Sequence, residues 1–354
     1  MSVVSVRRAA LAAASVLFAT ALTVAVVPAA SAAPAAPAAP ATPTTPAAPA
    51  SPTAPAATPL QGKTVFLDPG HQGSATPAQL SKQVPDGRGG TKDCQTTGAT
   101  GVNGVTEHEI NWKVAQLVKA SLESEGARVL LSRPDDKNFA GCVDERAERA
   151  NRSNADVAVS IHADSTSNGV DNGKSGFHLI VPKLPVLDQK VNTVQGGQGL
   201  QATEKMRDAL TKAGLHTANY AGVVDGIQTR SDLTGPNITT VPLVFIEMGN
   251  LSNQAEAKTL SSPTGAAKYA GAITNGLNDY LGAPATTTAG TATDGIDDLS
   301  GLADVGPLIE QLSKAKSLGE AQQILTSQGA DVSSQIVKAM LAVIYAVFGG
   351  KLPV

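Results

Sequence analysis

Positive charge is in short supply in this chain. Its 354 residues carry 27 Lys and Arg against 30 Asp and Glu, a formal net charge of −3 at pH 7. Without Arg7 and Arg8, the only charges before Lys63, the 27 basic residues fall to 25 and the balance to −5. Such a chain has no electrostatic footprint for a nucleic-acid duplex, and nucleic acid is not an expected partner. Cysteine is almost absent: Cys94 and Cys142 allow at most one disulfide. Long apolar runs are also missing after the N-terminus. The stretch 336–348, apolar except for Lys338, is too short to span a bilayer comfortably, since a spanning helix needs about 20 residues.

The first 32 residues read as a signal peptide. Arg7 and Arg8 supply the positive start, residues 9–26 an apolar stretch, and Ala30-Ser31-Ala32 a small-residue cleavage site. An exported protein follows, in the periplasm, cell wall or medium, with no stable membrane span after cleavage. Residues 33–59 are almost wholly Ala, Pro, Thr and Ser without charge, so they have no apolar face to bury. Such a segment is an extended tether, with a reach on the order of 80 Å at ~3.1 Å per residue. A second Ala/Thr/Gly stretch marks a linker at 283–298, and residues 299–354 read as a small helical extension.

Between the tethers, short apolar runs alternate with longer helical patterns. Runs at 64–67, 128–131, 157–161, 177–181 and 243–247 alternate with helical segments at 109–125, 143–150, 200–213 and 266–280. Strands interleaved with helices of this length predict a single α/β domain over 60–282, a mostly parallel twisted sheet flanked by helices. Ligands of such sheets sit at the carboxyl ends of strands.

Two histidines fall there. His71 follows the first run in LDPGHQG, and His162 ends another in SIHADS. Glu107 begins a helix after a Gly-rich segment, and Glu247 ends the run VFIE. Each residue alone is weak evidence, because a histidine at a strand end is usually structural and a glutamate at a helix start is usually a solvated cap. Together, two imidazoles and two carboxylates at one rim fit a zinc hydrolase: two His and one carboxylate for the metal, the other carboxylate for protons. Glu109 competes with Glu107 for the ligand role, but it reads as the more exposed helix-start acid, favourable near the positive end of the helix dipole. His108 is expected to face solvent, and His178 and His216 have no motif around them.

The set LDPGHQG at 67–73, TEHEIN at 106–111, SIHADS at 160–165 and FIEMGNLSN at 245–253 resembles the zinc-dependent N-acetylmuramoyl-L-alanine amidases of the amidase-3 family. SRPDD, with Arg133 and Asp135, and the later Arg146 and Asn151 also look like that family's pattern. The resemblance spans roughly residues 60–281. It implies that His71, Glu107 and His162 bind Zn2+, that Glu247 is the catalytic carboxylate, and that the substrate is the amide joining the muramic acid lactyl group to L-alanine in peptidoglycan. The family's Glu followed four residues later by Asn selects Glu107, with Asn111, over Glu109. Asp68 or Asp164 would orient the histidines.

Two departures from the family pattern stand out. The link from Gln72 to Thr106 is long and rich in Gly, Thr and Asp, and loops of that length without structure are commonly lids. Asn250 stands where the family often has an aromatic. Cys94 in the long link and Cys142 before a helix predict a disulfide in an exported protein, which would pin the link beside the rim. No repeat resembling a dedicated wall-binding module is present. Two other readings compete: a non-catalytic wall-binding or regulatory protein with an amidase-like domain, and a zinc peptidase acting on stem peptides.

Overall fold

A computed structural model describes residues 58–282, together with residues 320, 323 and 324. The leader, the tether except for its last two residues, the second linker, and the extension except for those three helical positions lie outside the described residues. The chain runs β1 (Thr64–Pro69), α1 (Pro77–Ser81), β2 (Gln83–Pro85), β3 (Thr91–Asp93), α2 (Glu107–Ser124), β4 (Arg128–Leu131), α3 (Val143–Ser153), β5 (Val157–Asp164) and β6 (His178–Pro182). It continues through α4 (Gln189–Val194) and a π turn into α5 (Leu200–Lys212), then β7 (Ile227–Arg230), α6 (Thr234–Ile238), β8 (Leu243–Asn250), α7 (Gln254–Ser261) and α8 (Pro263–Leu281).

Six strands form one sheet in the order β4-β1-β5-β8-β6-β7. The first four are parallel, β6 is antiparallel to β8, and β7 is parallel to β6. The expected mostly parallel α/β sheet is therefore present, with its direction reversed at β6. That reversal brings the start of β6 beside the carboxyl end of β8, at the same rim as the ends of β1 and β5.

Alternation along the strands sorts the two faces. Val65, Leu67, Val157, Val159, Ile161, Val244 and Ile246 join the main core with Ile110, Val114 and Val118 of α2, Met206 of α5 and Ile273 of α8, all fully buried. Phe66, Ala158 and Leu243 face the other way and pack with Ala150 of α3. Burying a side chain of this kind contributes roughly 1.5–3 kcal/mol, so the sheet's position is fixed from both faces. Helix ends follow local chemistry: Ser262 caps α8 by accepting from the Gly265 amide, Pro263 opens its first turn, and Gly282 closes it in the left-handed region.

The long link is a correction. Residues 72–106 contain a capped helical turn (α1) and the β2–β3 hairpin. Arg88 at the hairpin turn donates to the carbonyls of Lys183, Pro185 and Ser231 and to Asn237 Oδ1. Lys92 donates to the Asp232 carbonyl at 2.8 Å. Cys94, after β3, is disulfide-bonded to Cys142 at the start of α3. Strands of three residues are too short to show a period in sequence, which is why this order was not anticipated.

The disulfide closes a loop with a sequence separation of 48. In the chain-entropy picture it stabilises the fold by roughly 4 kcal/mol. Reduction should therefore lower the melting temperature by about 10 °C, measured with and without a phosphine reductant. An unchanged melting temperature with both thiols alkylated would contradict that contribution.

Candidate metal centre

At the carboxyl rim of the sheet, His71, Glu107 and His162 each offer a ligand atom, all within 4.8 Å of one another. The backbone of His71 is in the left-handed region, φ 62°, a conformation that His adopts more readily than most residues but at some cost. The turn is held from behind by a buried guanidinium. Arg146 of α3 donates to the His71 carbonyl at 2.6 Å, the Pro69 carbonyl at 3.0 Å, Gln72 Oε1 at 2.7 Å and Asp68 Oδ1 at 3.1 Å. Arg133, fully buried, donates to the Pro69 carbonyl and to the His108 carbonyl in the first turn of α2. The two arginines thus bolt the end of β1 to α2 and α3 through backbone carbonyls.

Glu107 is the point of convergence. Its Oε1 accepts from His162 Nδ1 at 3.0 Å, the Ala163 amide at 3.2 Å and Asn111 Nδ2 at 3.3 Å. Its Oε2 accepts from the Ala99 amide at 2.8 Å and lies 3.2 Å from His71 Nε2. Burial alone would raise the Glu107 pKa, but the two imidazoles outweigh it and hold the carboxyl well below the usual range. His71 Nδ1 donates to the Thr96 carbonyl at 3.1 Å, which turns Nε2 toward Glu107. Burial opposes the His71 charge, yet the Glu107 carboxylate raises its pKa overall. His162, stacked on Phe245 with centroids 4.5 Å apart, is instead lowered by burial. A buried carboxylate and two imidazoles converging on one point match the donor set of a divalent transition metal, zinc foremost.

Glu247 lies beside this trio. It is opposite His162 in the parallel β5–β8 register. Burial, then the neighbouring Glu107 and Asp164 carboxylates, push its pKa well above that of an ordinary glutamate. Glu109 is turned away: its half-exposed side chain pairs with Lys113 at 2.7 Å, one helical turn on.

Several expectations are corrected by the geometry. His108 does not face solvent. It is largely buried, with Nδ1 3.0 Å from both Asp136 oxygens and Nε2 2.9 Å from Thr106 Oγ1. Neither Asp68 nor Asp164 hydrogen-bonds the two rim histidines. Asp68 accepts from Ser160 and Arg146, and Arg146 holds its carboxyl below the usual range although burial alone would raise it. It therefore reaches His71 only through Arg146. Asn250 is fully buried and braces the loop after β5, donating to Thr166 Oγ1 and the Lys174 carbonyl. Thr96 and the carbonyl-binding role of Arg146 were not legible in sequence, since a backbone acceptor and a buried arginine leave no local signal. A cavity of about 400 Å³ is lined by His71 and His162 together with Phe66, Ala147, Ala158, Leu243 and Phe245.

A buried group of two histidines and one carboxylate, at the carboxyl edge of a mostly parallel α/β sheet with a second carboxylate beside it, is the arrangement of a hydrolase site able to take a divalent metal. The Amidase_3 family, N-acetylmuramoyl-L-alanine amidase, matches residues 65–279, and the chain belongs to it: this is a peptidoglycan hydrolase. It is 40% identical over 228 residues to the N-acetylmuramoyl-L-alanine amidase Rv3717 of Mycobacterium tuberculosis, covering 64% of this chain and 90% of that protein. Among solved structures it resembles the apo N-acetylmuramyl-L-alanine amidase Ami1 of Mycobacterium abscessus, with 41% identity, a TM-score of 0.58, and coverage of 63% of this chain and 100% of that one. Ami1 of Mycobacterium smegmatis is similar at 40% identity and a TM-score of 0.58, covering 63% of this chain and 98% of that one.

Gly70 shows how tightly the histidines are seated. A Cβ there would lie 2.2 Å from His162 Cε1. Gly70→Ala should displace the ring and weaken affinity for added divalent metal by roughly 10–100-fold, read by competition with a chromophoric chelator. Gly169→Ala, where nothing lies within 4 Å, is the control. Equal affinity in both variants would mean that the ring adapts freely.

Proposed function

We propose that His71, Glu107 and His162 hold a zinc ion and that Glu247 moves the proton in hydrolysis of the amide between N-acetylmuramic acid and L-alanine. The observation that carries this reading is the convergence of both imidazoles on the two oxygens of Glu107, with Glu247 in register beside them. Zinc bound there would supply a Lewis acid for the scissile carbonyl and acidify the attacking water.

The chain's own groups account for the rest. The Ala99 and Ala163 amides and Asn111 orient the Glu107 carboxylate. The Thr96 carbonyl fixes the His71 tautomer. Glu247 takes a proton from the attacking water as the new C–O bond forms, then delivers it to the alanine nitrogen as the C–N bond breaks. The products are a lactyl carboxylate and a peptide with a free amine. A carboxyl whose pKa is raised by burial holds that proton between the two transfers.

No helix among the described residues is long and apolar enough to cross a membrane. Peptidoglycan lies outside the cytoplasm, and residues 1–32 as a cleaved leader, with 33–59 as a tether, would deliver the catalytic domain to it.

The test is a muropeptide digest analysed by mass spectrometry. The expected products are intact stem peptides beginning with a free L-alanine amine, one zinc per chain, and no turnover after chelation. Cleavage within the peptide would instead indicate a stem peptidase, and zinc binding without turnover a non-catalytic amidase-like protein. Glu247→Gln should retain zinc and lose activity by ~10²-fold or more. Near-normal turnover in that zinc-loaded variant would give the proton transfer to another residue.

A further inference from the structure

Asparagine followed by glycine occurs four times in the chain, at 103–104, 168–169, 172–173 and 275–276. This dipeptide carries a reaction of its own. The glycine nitrogen attacks the side-chain amide carbon of the asparagine before it, with no Cβ to shield the approach, provided that side chain and nitrogen are both free to meet. The four pairs share one covalent chemistry, so the fold decides which of them reacts.

Three pairs are held. Asn103 donates to the Ala257 carbonyl at 3.0 Å and to Ser261 Oγ at 2.9 Å, and the Gly104 amide donates to the Gly101 carbonyl at 2.8 Å. Asn172 is clamped to Gln254 by both ends of its amide: Oδ1 accepts from the backbone N–H at 2.9 Å and Nδ2 donates to Oε1 at 3.1 Å. The Gly173 amide donates to the Asp171 carboxylate. Asn275 lies inside α8, where the next nitrogen belongs to the helical hydrogen-bond ladder. Asn168 differs on each count. It and Gly169 are exposed, and no group hydrogen-bonds its side chain. Ser167 Oγ alone holds the Gly169 nitrogen, at 3.2 Å. A Cβ on Gly169 would have nothing within 4 Å, so there is room for a ring to close. The base of this loop is tied to the end of β8, with the Thr166 amide on Asn250 Oδ1 and the Ser167 amide on Ser252 Oγ, which leaves the tip as the open part.

We propose that Asn168 is a self-modification site, losing its side-chain amide to give aspartyl and isoaspartyl residues in the loop that follows the His162 strand. The Gly169 nitrogen gives its proton to hydroxide and bonds to Asn168 Cγ. The Cγ–Nδ2 bond then breaks, and ammonia leaves with a proton taken from water. One further water opens the succinimide: attack at Cγ yields aspartate, and attack at the backbone carbonyl yields isoaspartate, whose main chain is longer by a methylene. Either product adds a negative charge at the carboxyl rim of the sheet, and neither metal nor substrate takes part.

The test is to hold the full chain in alkaline buffer well below its unfolding temperature, beside a sample unfolded in urea, and to follow tryptic peptides by fragmentation mass spectrometry. Asn168 and Asn172 fall in one tryptic peptide, residues 153–174, so fragment ions between them compare the two in a single spectrum. A held pair reacts only from locally opened states. In the folded chain Asn168 should therefore gain the mass of an Asn-to-Asp conversion at least about 10-fold faster than Asn103, Asn172 or Asn275, as two chromatographic forms of equal mass. In urea that advantage should disappear. Equal rates at Asn168 and Asn172 in the folded chain, or faster conversion at another pair, would overturn the assignment. So would an advantage of Asn168 that persists in urea, because local sequence rather than the fold would then account for it.

Discussion

The structure turns on the Glu107 carboxylate. One buried anion gathers two histidines, two backbone amides and an asparagine from the turn after β1, the link before α2, α2 itself and β5. A buried charge of this kind is tolerated only when it is fully partnered, and removing one partner leaves the others stranded. The same partners give the site its chemistry. A buried carboxyl held below the usual range, with two imidazoles drawn to it, has the donor set that a divalent metal would take.

Everything around that anion serves to keep the histidines within reach of it. Arg146 and Arg133 hold the carbonyls of Pro69, His71 and His108, so the end of β1 and the start of α2 cannot separate. Arg133 also lies over the Trp112 ring, 4.8 Å from its centroid, which fixes the guanidinium in turn. The left-handed backbone at His71 survives because these bonds determine it from several sides. On the far side, the reversal of β6 sets His178 level with Glu247. A parallel strand in that place would have presented its amino end at the opposite edge, away from the metal centre.

Much of this was legible in the sequence, and for physical reasons. The runs at 64–67, 157–161 and 243–247 are apolar on both faces because those strands are covered by helices on one side and by α3 and the cavity wall on the other. The rim residues were visible because strand-terminal His and Glu stand next to Gly and Asp in motifs rather than in apolar runs. The choice of Glu107 over Glu109 came from the resemblance to a family and matches a difference of two helical positions, which turns one carboxylate inward and the other to Lys113. The hairpin, α6, α7 and β7 were not legible, being too short to show a period. His108 was misplaced because its partner, Asp136, arrives from a loop 28 residues away.

Calorimetric titration of zinc into the metal-free protein, wild type against Glu107→Gln, tests the central claim most directly. The variant keeps the shape of the side chain and removes its charge. The account predicts one site per chain in the wild type and a loss of affinity of at least about 10-fold in the variant. Equal zinc affinity in the two proteins would contradict it, because the metal would then be held by the histidines without the anion that gathers them.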